Sequence, residues 1–522
     1  MIHYDYDAVV IGSGFGGAIT ALRLAEARQS VLILERGKHY KPEDFPRDIK
    51  KTDELLWIYP KKKAMQGLYD VRFHTDIATV SASGVGGGSL IYANIHYRPQ
   101  AKIFDDPRWP DEINLNSLEP YYQRVADKLD LSPIPKDIPL RKRDVFIDAA
   151  NKMNRPVFDV PQAVAWSGDP GEGRQACQMA AECEFGCRYG AKNSLDFNYL
   201  AQAQQLGAKI QARCLVSHIA KEEMGYKVFY EDTENGAAHH VTGKRVIVAA
   251  GTLGTNEILL RSRDHTKTLP ELSQTLGHGF SGNGDFVGSL QKAKMDLEPW
   301  KGPDVTSAMW FYDKTPGFLL TVVTYNKAVM EVLASFGQMP PHKIAKFFAP
   351  VLWKLLPIVL PFLFRKGLLS KPLKYPLKGA GSAERMMNLF AIGQDNANGR
   401  LTLVGKKLNI KWHYADENKT LIACQQQAMK ELAEKLGGHY APHLIWSLFD
   451  RMLTVHHLGG CAISSGIDKG VVDINGQVHR YPGLFVADGS IIPTAIGSHP
   501  VMTISALAEW IAERIVAKLS DE

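Results

Sequence analysis

Three histidines are the residues of this 522-residue chain best suited to proton chemistry. Leu453-Thr-Val-His456-His457-Leu-Gly459-Gly460 places two imidazoles before a glycine turn, and Gly497-Ser-His499-Pro500-Val-Met502 places a third ahead of an Ala, Leu and Ile stretch with helical spacing. An imidazole with an ordinary pKa of about 6.5 exchanges protons near neutrality, so such a set could take the proton of a substrate hydroxyl. Pro500 suits a first helical turn, where its missing N–H costs nothing, and the N-terminus of that helix could face an anion. By residue type alone, His456 and His499 could equally be capping or core histidines.

Three cysteines form the second cluster. Cys177-x5-Cys183-x3-Cys187 lies on a loop with turn glycines at 186 and 190. Three thiolates on one loop could grip a three-iron four-sulfur cluster, whereas zinc usually takes four ligands and the loop offers neither a histidine nor a fourth cysteine. A disulfide within the loop and three unrelated thiols are the alternatives. The other cysteines are 214, 424 and 461. Six in all do not make a disulfide scaffold and read as a reducing compartment. No basic head, apolar stretch or small-residue cleavage site opens the chain, so a cytoplasmic protein without a signal peptide is expected.

These groups need a scaffold, and the glycines show where it starts. Ala8-Val-Val-Ile11 reads as a buried strand, Gly12-Ser-Gly14-Phe15-Gly16-Gly17 as a turn, and Ala18 to Ala25 as a helix. Gly12 allows the tight turn, Gly14 admits a pyrophosphate to the backbone, and Gly17 lets the helix lie close on the sheet. The strand Val31–Leu34 ends at Glu35, whose carboxylate suits ribose hydroxyls and disfavours a 2′-phosphate. This combination predicts a dinucleotide site and leaves FAD and NAD open. A second glycine cluster, Gly84-Val-Gly86-Gly87-Gly88-Ser89, precedes Leu90 to Asn94, and Arg245 to Leu260 repeats strand, glycine turn at Gly251 and helix. The nucleotide domain is therefore discontinuous in sequence.

Composition sets the outer limits. The mass is 57.9 kDa, 45% of residues are hydrophobic and 22% charged, which excludes a disordered, collagenous or polytopic chain. A net charge of +6 is too mild to predict nucleic-acid binding. The charge is uneven: residues 338–378 carry eight Lys or Arg and no Asp or Glu, so the rest of the chain sums to −2. Within that stretch Phe347 to Phe364 is almost wholly apolar but holds prolines at 350, 357 and 361, which argues against a spanning helix and for a segment lying in a lipid surface at 343–374. A cap over the active site is the alternative.

Together these segments, with Gly279-Phe-Ser-Gly-Asn-Gly284 and the block from Thr454 to Leu507, resemble the glucose-methanol-choline oxidoreductase superfamily, and within it the cholesterol-oxidase-like branch. The resemblance implies an α/β fold, with a discontinuous Rossmann-like FAD-binding domain from 1–100, 205–290 and 452–522. An antiparallel-sheet substrate domain would come from 101–204 and 291–451. It implies FAD bound along Gly12 to Glu35 and reached at its flavin end by Gly86, Gly87, Ser89 and Asn94. Val216 would present its backbone to the adenine, Asp488 and Gly489 would hold the ribityl chain, and Pro500 and Met502 would open the helix that faces the flavin. Leu90, Ile91 and Tyr92 stand where some members attach FAD through histidine, so FAD is expected to be noncovalent.

The resemblance further implies that His456 takes the hydroxyl proton while His499 bonds the same oxygen. His457 replaces a usual proline, which leaves His456 and His457 as alternative bases. The cysteine spacing is similar to that of iron-sulfur FAD-dependent glucose dehydrogenases, which implies electrons leaving through the cluster to a quinone or cytochrome. The expected activity is dehydrogenation of a hydrophobic alcohol, a sterol or long-chain alcohol. An oxygen-using, peroxide-forming oxidase and a non-enzymatic flavin-carrying membrane protein are the alternatives.

Overall fold

The protein is described by a computed structural model over residues 4–47, 52–58, 65–171, 173–336, 349–356 and 383–519. Its first strand, Tyr6–Ile11, runs parallel to Val31–Leu34 on one side and to Ala238–Val248 on the other. Lys209–Gln211 extends the sheet beyond Val31–Leu34, and Leu484–Val486 pairs in parallel with Ala238–Val248. Antiparallel strands Tyr226–Asp232 and Cys214–Lys221 complete seven strands. The central strands are near-continuous apolar runs, and Val9, Val10, Ile33, Val246 and Ile247 are fully buried, the pattern of a parallel sheet covered on both faces.

Helices Phe15–Glu26 and Val501–Leu519 pack on each other. Glycine permits the close approach of the first to the sheet. A methyl group at Gly16 would lie 1.7 Å from the Ala487 carbonyl oxygen, and one at Gly17 would lie 2.0 Å from that of Gly12. The two helices are locked by Arg23, whose Nε and Nη2 each donate to the fully buried Glu509 at 2.7 Å. Tyr199 Oη adds a third donor at 3.0 Å, so the buried carboxylate is paired.

The second sheet is entirely antiparallel and runs in the order His439–Pro442, Phe286–Gln291, Met387–Gly393, Phe318–Val323, Ser307–Trp310, Val157–Asp159. Helix Lys419–Lys435 buries Leu421, Met429 and Leu432 and packs against Phe286–Gln291; it ends at Gly437, whose φ of +65° suits a helix terminus.

Two boundaries differ from those read in the sequence. Phe286–Gln291 joins the antiparallel sheet and not the nucleotide sheet, because a short apolar run fits either. Helices Leu115–Lys128 and Tyr199–Gln205 pack on the nucleotide-domain helices, through Tyr121 to Glu513 at 2.7 Å and Tyr199 to Glu509.

Of the basic apolar stretch 338–378, only 349–356 lies among the described residues, and it is helical; the rest lies outside them. Trp353 anchors this helix, donating from Nε1 to the His74 carbonyl at 2.9 Å and meeting the rings of Phe73 and Phe449. Val351, Leu352 and Leu355 remain exposed. Among the described residues no helix is long and apolar enough to cross a membrane.

Candidate active site

A cavity of about 660 Å³ is lined by residues of both sheets. One end is a cradle made by absent side chains. Gly12, Gly14, Phe15 and Gly16 line it, with Gly87 from the second glycine cluster and Gly251 from the third. Gly12 has φ +97°, and a methyl there would lie 2.4 Å from the Ala249 carbonyl oxygen. At Gly14, Gly88 and Gly251 an added methyl would meet nothing within 4 Å, so these backbones border open space. The N-terminus of Phe15–Glu26 opens onto this end, which suits a pyrophosphate. Glu35 accepts from Ser13 Oγ at 2.7 Å and Gly37 N at 2.9 Å and also lines the cavity. Val216 lines it from Cys214–Lys221, and Asp488, held by Ser490 and Thr255, lines it with Gly489 and Pro500.

Two polar atoms of buried groups in the cavity lining, the Tyr92 hydroxyl and His499 Nδ1, have no hydrogen-bond partner among the described residues. Leaving such groups unpaired is costly, and a polar fused ring placed among them would offer partners. Glycine cradle, acidic ribose partner and orphaned polar atoms together fit FAD.

The other end of the cavity is apolar, with Val287, Val305, Val323, Phe390 and Leu453 among its walls, and two imidazoles meet there. The rings of His456 and His499 are 5.3 Å apart at 83°. His456 Nδ1 lies 2.7 Å from Asp285 Oδ1, and Asp285 is fully buried. Its other oxygen accepts from Thr454 Oγ1 at 2.8 Å and Val455 N at 2.9 Å. An acceptor-only carboxylate at Nδ1 places the proton on Nδ1 and leaves Nε2 as the acceptor. His499 is held neutral, its pKa well below the usual range, by burial first and by its neighbours His456 and His96 second.

His456 and His457, the two alternative bases, differ in their partners. His457 turns its Nε2 to the Thr454 carbonyl at 3.2 Å, and burial pushes its pKa down to about 4. Among the described residues no carboxylate is hydrogen-bonded to its ring, whereas Asp285 is bonded to that of His456.

Not every expected cofactor residue lines the cavity. Gly17, Gly86, Ser89, Asn94 and Met502 stand behind the wall. Gly86 N donates to Ser13 Oγ at 3.1 Å, joining the two glycine clusters, and Ser89 Oγ bonds the Gly86 carbonyl at 2.7 Å.

The cysteine loop departs from expectation. Among the described residues no three His, Cys, Asp or Glu side chains converge to hold a metal ion, and all six cysteines are free. Cys183 sits in a single 3₁₀ turn, Cys183–Phe185, whose N–H groups are tied to Asp304 at 3.2 and 2.7 Å, while Cys177 Sγ contacts Met179 Sδ at 4.0 Å. Burial raises the Cys183 thiol well above its usual pKa and pushes Cys177 to about 11. This arrangement does not support the three-iron four-sulfur cluster.

Two functional candidates escape sequence reading. Asp285 lies one residue past the quoted Gly279–Gly284 segment. Glu184, next to Cys183, lines the cavity and accepts from Tyr325 Oη at 2.9 Å. Burial first and the Asp304 carboxylate second push its pKa up.

Comparisons with known proteins agree with this fold. The N-terminal family model of GMC oxidoreductases matches residues 6–276 and the C-terminal one matches 396–508. A cholesterol oxidase of Acinetobacter baumannii is 29% identical over 99% of this chain and 95% of its own. A long-chain-alcohol oxidase of Arabidopsis thaliana is 23% identical over 99% of this chain and 68% of its own. Among solved structures, a pyridoxine 4-oxidase superimposes with a TM-score of 0.62 at 16% identity, covering 97% of this chain and 98% of that one. A fungal aryl-alcohol oxidase gives 0.60 at 16% identity, with both chains fully covered.

Proposed function

From a chain that belongs to the GMC oxidoreductase family, FAD-dependent enzymes acting on alcohols, we propose an enzyme that oxidises the hydroxyl of a hydrophobic alcohol, a sterol or a long-chain alcohol, with oxygen as electron acceptor. One observation carries the reading: two imidazoles, one of them paired with a buried carboxylate, meet at the apolar end of a cavity whose other end is a glycine cradle.

Gly12, Gly14 and Gly16 with the N-terminus of Phe15–Glu26 would hold the FAD pyrophosphate, Glu35 the ribose and Asp488 the ribityl chain. Bound FAD supplies the acceptor for the hydride of the carbinol carbon. The protein's part is proton management and exclusion of water. His456 accepts the hydroxyl proton at Nε2, and the imidazolium so formed is stabilised by the Asp285 carboxylate at Nδ1. His499, neutral, hydrogen-bonds the same oxygen. The apolar walls keep water from the reacting carbon and favour an alcohol with little other polarity.

Relatives named as oxidases and a cysteine loop that does not converge support oxygen over a cluster-linked quinone or cytochrome. Peroxide formed in step with substrate is the expected result, and flavin reduction without peroxide would restore the dehydrogenase reading. Peripheral contact with an anionic lipid surface through 343–374 belongs to the same proposal. It is supported by the basic charge of the stretch and by Val351, Leu352 and Leu355 exposed on a helix anchored by Trp353. Flotation with anionic vesicles should carry the protein upward, and a Val351→Ser/Leu355→Ser variant should float less; equal flotation of both would remove this contact.

A further inference from the structure

Both imidazoles are tied to one short turn that belongs to neither histidine segment. Ser281 to Asp285 leads into strand Phe286–Gln291 and is pinned by the buried Asp395. Asp395 Oδ1 accepts from Ser281 Oγ at 2.8 Å, and Oδ2 accepts from Gly282 N at 3.1 Å and Gly284 N at 2.8 Å. Gly284, at φ +61°, leaves no room for a side chain: a methyl would lie 2.4 Å from the Gly393 carbonyl oxygen. Asn283 is left-handed at φ +54°, a conformation asparagine tolerates. Its Oδ1 accepts from Ile496 N and Gly497 N, both at 2.9 Å, and its Nδ2 donates to the Ser498 carbonyl at 2.7 Å. These are the three residues that lead into His499. Two positions on, Asp285 holds His456 at Nδ1 and the Thr454–Val455 approach to it.

We propose that Asn283-Gly284-Asp285 is the positioning element of the catalytic pair: Asp285 fixes the orientation and tautomer of His456, and Asn283 fixes the backbone that presents His499. Neither residue touches the reacting atoms, and the assignment rests on reading His456 as the base.

Asp285→Asn separates this role from mere packing. One oxygen of Asp285 faces a hydroxyl and backbone N–H donors, so the amide carbonyl must take that side, and its NH₂ must face His456 Nδ1. The imidazole then has to accept at Nδ1 and carry its proton on Nε2, where it cannot take the substrate proton. In Ser-His-Asp hydrolases, where the carboxylate partner of the histidine is changed to its amide, the same exchange costs about 10⁴ in kcat.

The test uses FAD-loaded enzyme carrying ¹⁵N-labelled histidine, with the His456 signals assigned by their absence in His456→Gln. The expected wild-type spectrum shows His456 protonated at Nδ1, and Asp285→Asn shows it protonated at Nε2. Flavin reduction by alcohol should slow at least about 100-fold in Asp285→Asn with KM within about 3-fold, and Asn283→Ala should slow it while leaving the His456 tautomer unchanged. A wild-type His456 protonated at Nε2 overturns the proposal even if Asp285→Asn fails to fold, and so does an Asp285→Asn reduced at the wild-type rate. His456→Gln reduced at the wild-type rate would instead overturn the base assignment beneath it.

Discussion

The two ends of the cavity are built by opposite means. At the cradle, Gly12 to Gly17 and Glu35 lie within 24 residues, and the site is formed by leaving side chains out, so that backbone approaches ligand. At the catalytic end, His456 and Asp285 are 171 residues apart, and the pair is formed by side chains that the fold brings to one hydrogen bond of 2.7 Å, with the second Asp285 oxygen held by Thr454 and Val455. A cradle of this kind is specified by local backbone conformation, whereas a catalytic pair is specified by the tertiary structure that closes around it. Substitutions should therefore fail differently at the two ends.

The largest effect is expected where the cradle meets the core. In Gly16→Ala the new methyl would sit 1.7 Å from the Ala487 carbonyl oxygen, a backbone atom that cannot step aside. The variant should yield no folded holoenzyme, read as loss of flavin absorbance and of a cooperative melt. Gly14→Ala sharpens the contrast, since its methyl meets no protein atom within 4 Å. It should fold with an unchanged apoprotein melt and lose FAD affinity about 10-fold or more, because the methyl occupies space the pyrophosphate needs. Titration of FAD into apoprotein checks this, and an unchanged affinity would move the pyrophosphate elsewhere.

At the catalytic end the same size of change should spare binding and strike rate. His499→Ala should keep FAD and reduce the rate of flavin reduction about 10- to 100-fold, the worth of one hydrogen bond to a charged or developing oxyanion. Its measurement is single-turnover reduction under anaerobic conditions.

The smallest effect is on stability. His74 is 5% exposed, and burial pushes its pKa down to about 3 from 6.5. Its unfolded form binds the proton first, so its contribution is complete above about pH 6.5 and is lost as pH falls toward 3, at ~1.4 kcal/mol per pH unit. His74→Gln should flatten the acid side of the stability curve by about that slope, measured by urea unfolding at pH 6 and pH 5.

The same contrast explains what could be read from the chain alone. The cradle was legible because strand, glycine turn, helix and acidic residue are contiguous, and the strand Val31–Leu34 and the Val246–Val248 end of Ala238–Val248 announce themselves as buried runs. His456 and His499 were legible as types, but their partners were not. Asp285 follows Gly284 with no local pattern to mark it, and only the fold shows that its carboxylate meets an imidazole. That contact also distinguishes His456 from His457, which adjacent positions in sequence do not. The cysteines mislead for the converse reason. Spacing suggested one cluster, yet Asp304, more than a hundred residues away, captures the Cys183 turn and the three thiols do not converge.

The central claim is that His456 drives alcohol oxidation at a flavin held in this cavity, and anaerobic reduction of the bound flavin tests it most directly. Wild-type holoenzyme and His456→Ala are mixed with a panel of sterols, long-chain alcohols and sugars. At least one sterol or long-chain alcohol should bleach the wild-type flavin, with sugars inert and His456→Ala slower by about 10²- to 10⁴-fold while still holding FAD. A flavin that no alcohol bleaches, or one that His456→Ala reduces at the wild-type rate, would contradict it.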